Sequence, residues 1–238
     1  MIVKSIWLRR IHKWVGLVIG LQFLLWAISG TAMALLTMDE VSGGDMAKPT
    51  LMPISASGPA WGQIQQSLAG QPIQSLSLRT LGQRHVLEVK TAAGVRLFDA
   101  SSGLSVLIDY YSAAALASGA HPTRAAVKQV TALTQVGLAV RGHELPIWRV
   151  DFRDEQNSSY YVSGTTGAIL ERRNDTWRWW DFFWMLHNMD YADRTSFNHP
   201  LIITVGFAMA WLAMTGFWLL FRTMWRHDFS ALRSQLRH

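Results

Sequence analysis

The sequence predicts an α+β membrane protein: two transmembrane helices flank an extracytoplasmic domain of two helix-plus-antiparallel-sheet units, with an aromatic helix lying at the membrane interface. Three observations carry this. Half of the 238 residues are apolar and only 16% are charged, which is lean in charge for a soluble chain. Two windows, Trp14 to Met38 and Leu201 to Phe221, contain no charged residue. Each is long enough to cross a hydrocarbon core of about 30 Å, which takes roughly 20 helical residues. Between them, residues 39–176 alternate short apolar runs with Gly, Pro, Ser and charge, the texture of a folded water-soluble domain.

The segments follow in order: a basic N-terminus over 1–13, a first span over 14–38 and a soluble domain over 39–176 with repeats at about 55–108 and 120–172. An amphipathic interfacial helix over 177–191, a second span over 200–222 and a basic tail over 223–238 complete the chain. Lys4, Arg9, Arg10 and Lys13 precede the first span, and Arg222, Arg226, Arg233 and Arg237 follow the second, whereas Asp39, Glu40 and Asp45 open the middle region. Basic residues stay on the cytoplasmic side, so both termini are expected there and the central domain in the periplasm of a bacterial inner membrane. The net charge of +6 is largely this flank asymmetry, so the lipid bilayer is the partner it implies, and no nucleic acid.

Residues 1–34 also look like a signal peptide, with a small-x-small site at Ala32-Met33-Ala34. The apolar run continues past that site through Leu35, Leu36 and Met38, longer than the roughly 7 to 15 residues of a signal core, and a retained span is expected. The absence of cysteine excludes disulfide staples and a haem attached through C-x-x-C-H.

Within the soluble region, RLFDASSGLSVL (96–107) and YYVSGTTGAIL (160–170) share a pattern of strand, small turn residues, glycine and strand. Ahead of the first lie a helix candidate at Pro59 to Leu68 and strands near Ile73 to Leu78 and His85 to Lys90. Ahead of the second lie a helix candidate at Thr123 to Thr134 and a strand near Ile147 to Phe152. The two units either share one core or sit as a tandem pair.

These units, each ending in a D/S-small-S/T-S/T-G turn, resemble PepSY modules. The opening His12-Lys13-Trp14-Val15-Gly16-Leu17 and the later W-W-x-x-x-x-x-x-H approach to the second span, Trp179 to His187, resemble PepSY-associated transmembrane proteins. The resemblance covers most of the chain. It implies an inner-membrane protein of bacterial iron acquisition, some of whose relatives bind b-type haem and reduce ferric iron or ferric siderophores. Larger relatives carry about four spans. The two spans here suggest that a homodimer supplies the four-helix equivalent.

The placement of the eight histidines agrees with haem. His85, His121 and His143 are scattered in the soluble domain, where surface or loop positions are the simple expectation, and His238 is terminal. The other four sit at span ends: His12 and His227 on the cytoplasmic side, His187 and His199 on the outer side. Imidazole is a natural axial ligand of haem iron, and ionisable groups near a membrane interior tend to be functional. His199 and His227 are about 42 Å apart along a continuous helix, so they cannot share an iron. His187 with His199, His12 with His227, or the same residues from two chains remain as pairs. The iron ligands expected are His12, His187 and His199, with His227 as a further cofactor-binding candidate.

Trp177, Trp180, Trp184, His187 and Tyr191 fall on one helical face. This face reads as an interfacial stripe, or as a wall against a macrocycle. Trp14, Trp180 and Trp184 are therefore expected to line the cofactor, and Gly16 and Gly20, a G-x-x-x-G pair, to form the dimer interface. Gly206, Ala210, Ala213 and Gly216 give the second span a similar small-residue stripe. Asp151, Asp154 and Glu155 are acidic enough to attract ferric ions, although a charged hairpin tip explains them more simply.

No G-x-G-x-x-G, Walker loop, G-x-S-x-G or H-E-x-x-H occurs, so electrons would come from membrane quinol or another donor. The function expected is a membrane oxidoreductase with non-covalent haem b, one or two per protomer or shared in a dimer. It would act as a ferric reductase toward ferric iron or a ferric siderophore. The alternative is a non-catalytic membrane-anchored module that binds a partner protein or peptide as a sensor, peptidase modulator or transporter accessory. Haem carriage or sensing without turnover is a third reading.

Overall fold

The computed structural model describes residues 5–47, 60–192, 194, 196 and 198–235, with side-chain detail from Trp7 on the first helix and to Arg222 on the last. The chain divides into two compact units, one of Met1–Leu35 with Trp180–His238 and one of Leu36–Trp179.

The first unit is helical. Helix α1 (Ser5–Leu35) follows from an unbroken apolar run without proline, and helix α6 (Pro200–Gln235) packs along it. Pro200 occupies the first helical position of α6, where a missing N–H costs nothing. His199 caps that end: its Nδ1 accepts from Leu201 N at 3.2 Å and its carbonyl from Ile203 N at 3.2 Å. The stretches Trp7–Leu35 and Pro200–Arg222 each have a mean hydropathy of 1.8 and hold almost no fully buried residue. Leu17, Leu21, Phe207 and Phe217 are each more than half exposed. Apolar faces of this extent need a non-aqueous neighbour, and lipid fits, since each stretch is long enough to cross a hydrocarbon core of about 30 Å. Helix α6 continues through Gln235, so the basic tail is helical in its first part.

The second unit, after the single turn α2 (Met38–Val41), is a duplicated helix-plus-sheet. Helix α3 (Ala60–Leu68) precedes the antiparallel sheet β1 (Ile73–Leu81), β2 (Arg84–Thr91), β3 (Gly94–Asp99) and β4 (Ser105–Val106). Helix α4 (Tyr110–Ala120) precedes β5 (Val127–Ala132), β6 (Ile147–Phe152), β7 (Ser159–Ser163) and β8 (Ile169–Arg173). Each sheet is a four-stranded meander, and each first strand carries an irregularity at its start, between Ile73 and Ser75 and between Val127 and Gln129. Helix α5 (Asp175–Asn188) follows and crosses the boundary between the units.

The repeats share one core. Val86, Leu97, Ile108, Ala113 and Ala117 pack with Val150, Phe152, Tyr160 and Val162 in a single buried cluster. Alternation along the strands explains the layering: Val86 and Leu97 face this shared core, while Val89 and Phe98 point the opposite way onto Ile64 and Leu68 of α3. On β6 and β7, Ile147 and Tyr161 face away from the shared core onto Val140 of a 3-10 turn at Leu138–Val140. Trp148 Nε1 donates to Ile108 O at 2.8 Å, and a Cβ added at Gly167, whose φ is +69°, would stand 2.9 Å from Leu81 Cδ1.

Three elements differ from expectation. Residues 127–132 of the candidate helix Thr123 to Thr134 form β5, because Val127, Val130 and Thr131 are β-branched and find partners on β6. The helix of the second unit lies earlier, over the Ala-rich Tyr110–Ala120. Asp109 Oδ1 caps Ser112 N there at 2.8 Å, and Ala113 and Ala117 present small faces to the core one turn apart. The aromatic helix starts at Asp175, where Asn174 Oδ1 accepts from Trp177 N at 2.7 Å, and ends at Asn188, beyond which Met189 turns left-handed at φ 58°.

The equivalent hairpin turns are built differently. In the first, Asp99 Oδ1 accepts from the backbone N and hydroxyl of both Ser101 and Ser102. In the second, Ser163 Oγ accepts from Thr165 N and Thr166 N. The donors around Asp99, led by the Ser101 hydroxyl and the Ser102 N–H, hold its carboxyl down to about 2. A depressed folded-state pKa stabilises the fold above the ordinary carboxylate value and loses that contribution as pH falls through the folded one. Asp99→Asn is therefore expected to flatten part of the acid sensitivity between about pH 4 and pH 2, and Asp99→Ala to cost about 1 kcal/mol at neutral pH. Denaturant unfolding of the full chain across that range checks both.

Candidate functional site

Each of two histidines in the helical unit rests against a neighbouring helix on the same three kinds of residue. His12, on α1, meets α6: its Nδ1 lies 2.7 Å from Thr215 Oγ1, its ring 6.4 Å from that of Trp211, and its Cε1 3.5 Å from where a Cβ on Gly216 would stand. His187, on α5, meets α1: its Nδ1 lies 3.2 Å from Ser29 Oγ, its ring 6.1 Å from that of Trp26, and its Cε1 3.3 Å from the Cβ position of Gly30. The shared set is a hydroxyl, the glycine after it, and a tryptophan about one turn before.

Local sequence explains why. Ser29-Gly30 and Thr215-Gly216 are the same dipeptide type in the two spans, preceded by Trp26 and Trp211. The hydroxyls satisfy their own helices, Ser29 Oγ donating to Leu25 O at 2.6 Å and Thr215 Oγ1 to Trp211 O at 2.9 Å. Gly30 leaves out a Cβ that would crowd His187 Cε1 at 3.3 Å, whereas a Cβ on Gly216 would be in ordinary contact with His12. His12, Ile19, Gln22, Trp26 and Ser29 recur every three or four residues, so one face of α1 carries parts of both sites. His12 and Ser29 are about 25 Å apart along the axis, so the sites lie near opposite ends of a hydrocarbon core.

Of the other expected residues, Trp14 is 62% exposed, and the rings beside the two histidines are Trp211 and Trp26. Trp180 and Trp184 stack on each other at 6.2 Å, with Trp184 buried. Tyr191 lies past the end of α5. His199 is half-buried and committed through Nδ1 to capping α6. His227 is on α6, with its side chain outside the described residues; it lies about 18 Å beyond Thr215 along the axis and so is not level with His12. Gly16 and Gly20 line an open groove of about 210 Å³ with Ile19, Phe23, Met209 and Leu212. A Cβ at Gly20 would meet nothing within 4 Å, so α6 does not use the close approach that this glycine permits.

The soluble-unit histidines are tied into the fold. His121 is not a surface residue: it is 3% exposed between Phe152 and Tyr160, its Nδ1 accepting from Ala125 N at 3.3 Å and its Nε2 3.2 Å from Asp154 Oδ2. Burial raises the Asp154 carboxyl, but the Ser158 hydroxyl and N–H and His121 outweigh that and hold it below the ordinary value. His143 pairs with Glu171 at 2.9 Å, and Asp151 with Arg149 at 2.8 Å. Among the described residues no three His, Cys, Asp or Glu side chains cluster as a metal site. A polar cleft of about 490 Å³ opens on β5 and β6, edged by Lys128, Arg149, Asp151 and Arg178.

Haem needs an imidazole, flat walls and donors for its acidic groups, and the residues around His187 fit. Gln22 Nε2, Trp26 Nε1 and Asn188 Nδ2 are buried donors with no acceptor among the described residues. Trp26 touches His187, Asn188 follows it, and Gln22 is one turn from Trp26. A ligand bearing an acceptor beside His187 would relieve the unmet Trp26 donor.

Gly30 controls whether the His187 ring can stay in place. Gly30→Leu is expected to push the imidazole off Ser29 and raise its rate of modification by diethyl pyrocarbonate several-fold, with His12 unchanged. Peptide mapping by mass spectrometry reads both, and an unchanged His187 rate would mean that the ring does not rest on this glycine.

The sequence model of the family described as PepSY-associated TM region matches residues 9–238. No curated protein and no solved structure matches the chain.

Proposed function

We propose, for a chain that belongs to the PepSY-associated TM region family, that it is a b-type haem oxidoreductase of the bacterial inner membrane that passes electrons to ferric iron or a ferric chelate on the outer side. The observation that carries this reading is the matched pair of histidine sites at opposite ends of the helical unit. The basic flanks Arg9, Arg10 and Lys13 support an orientation with the His12 end cytoplasmic and the His187 end outside.

Haem bound there would supply one-electron redox chemistry at a potential set by its ligands and burial. The chain's own residues do the rest. His12 and His187 present imidazoles from half-buried positions, Trp211 and Trp26 give flat apolar neighbours, and Gly216 and Gly30 keep the rings close to the helix backbone. One site at each end means that a second copy, packed along the open Gly16 and Gly20 groove, would bring a second imidazole to each end. The electron balance is simple: one quinol oxidised to quinone releases two electrons and two protons, enough to reduce two Fe(III) to Fe(II), with no bond to carbon made or broken. Neither spanning helix carries a carboxylate within its apolar stretch, so protons would stay at the surfaces.

The competing reading is a non-catalytic module that binds a partner through its soluble unit, and the polar cleft edged by Lys128, Arg149 and Arg178 is what favours it. The two readings separate on the histidines. Protein purified in mild detergent after growth with ample haem is expected to show the sharp reduced-minus-oxidised bands of low-spin haem b, which fade when a ferric chelate is added. His12→Ala and His187→Ala are each expected to remove part of the signal. A flat spectrum from folded protein, or full signal in both variants, would favour the binding module.

A further inference from the structure

A histidine can ligate iron only through a ring nitrogen without a proton, and the bond made by one nitrogen decides what the other offers. Ser29 Oγ lies 2.6 Å from Leu25 O but 3.2 Å from His187 Nδ1. A hydroxyl has one proton and a carbonyl can only accept, so the short contact takes the proton and the lone pairs of Oγ face the imidazole. Thr215 differs: its shortest contact is His12 Nδ1 at 2.7 Å, with Trp211 O at 2.9 Å and Leu212 O at 3.1 Å, so distance does not assign its proton. At Ser29 the imidazole is left as the donor.

We infer that Ser29 is a positioning residue that holds His187 in the Nδ1–H tautomer, so that its Nε2 presents a lone pair to a Lewis-acidic iron. His121 provides the contrast within the same chain. Its Nδ1 accepts from Ala125 N, so its proton is on Nε2, directed at Asp154 Oδ2, and no lone pair is left over. The tautomer follows from the hydrogen bonds alone; only the identity of what Nε2 meets rests on the haem reading.

The test uses the full-length, haem-free chain in lipid nanodiscs, labelled with 15N-histidine, at a pH well above histidine titration. Long-range 1H–15N correlation separates the two tautomers, and loss of signals in His12→Gln and His187→Gln assigns them. His187 is expected as Nδ1–H and His121 as Nε2–H. Ser29→Ala is expected to release the preference at His187 alone. Ser29→Thr is expected to keep it. With haem added, Ser29→Ala is expected to hold it roughly 10-fold more weakly, and Ser29→Thr near normally. An Nε2–H signal at His187, or a tautomer unmoved by Ser29→Ala, would overturn the inference. Absence of haem with these tautomers in place would defeat the proposed function and leave the inference standing.

Discussion

The contact on which the helical unit depends is an imidazole held on a hydroxyl between two helices, near either end of an apolar span. A polar side chain beside so much apolar surface gains from a partner in the protein, and His12 with Thr215 and His187 with Ser29 find one across helix boundaries. Each such bond contributes only about 0.6 to 2 kcal/mol in a membrane. The specificity is larger than the energy. Very little of either span is buried in the protein, so apolar packing between α1 and α6 fixes their rotation weakly, and the polar contacts select one register. The same contacts orient the rings, which joins the stability of the unit to the chemistry it can perform.

The soluble unit follows a different rule. Two short meanders of four strands are each marginal alone, and burying Val86 and Leu97 of one against Val150 and Val162 of the other makes one core where two would be too small. The chain has no cysteine, so no disulfide staples these repeats, and the shared core holds them together. The edges reflect the duplication: Asp99 and Ser163 occupy equivalent turn positions and collect equivalent backbone donors with different chemistry.

Much of this was legible in the sequence, for physical reasons. Twenty-residue apolar windows and a strand-turn-glycine-strand pattern are strong signals: two long apolar helices and both hairpins are present, although the first apolar stretch runs over Trp7–Leu35 and not over Trp14 to Met38. The helix over Tyr110–Ala120 was hidden because alanine and serine give a weak apolar stripe, while the polar face of β5 imitated one turn of an amphipathic helix. At the site, His12 and His187 stand out by type and position, but Trp14 drew attention through proximity in sequence, whereas the rings at the histidines come from Trp26 and Trp211, distant in the chain. A pairing between helices cannot be read from one helix. The repeated hydroxyl-glycine dipeptide in the two spans was the available signal, legible once each histidine is asked which neighbour leaves it room.

Under the proposed function, His12 and His187 are equivalent ligand positions, one per end, completed by a second copy. Haem content per chain, by pyridine haemochromogen on protein whose mass in detergent is fixed by light scattering, tests it most directly. Two imidazoles per iron and two sites per chain give about one haem per chain in a dimer, falling to about half in either His12→Ala or His187→Ala and to none in the double variant. A folded protein without haem, or one whose haem content survives the double substitution, would contradict the account.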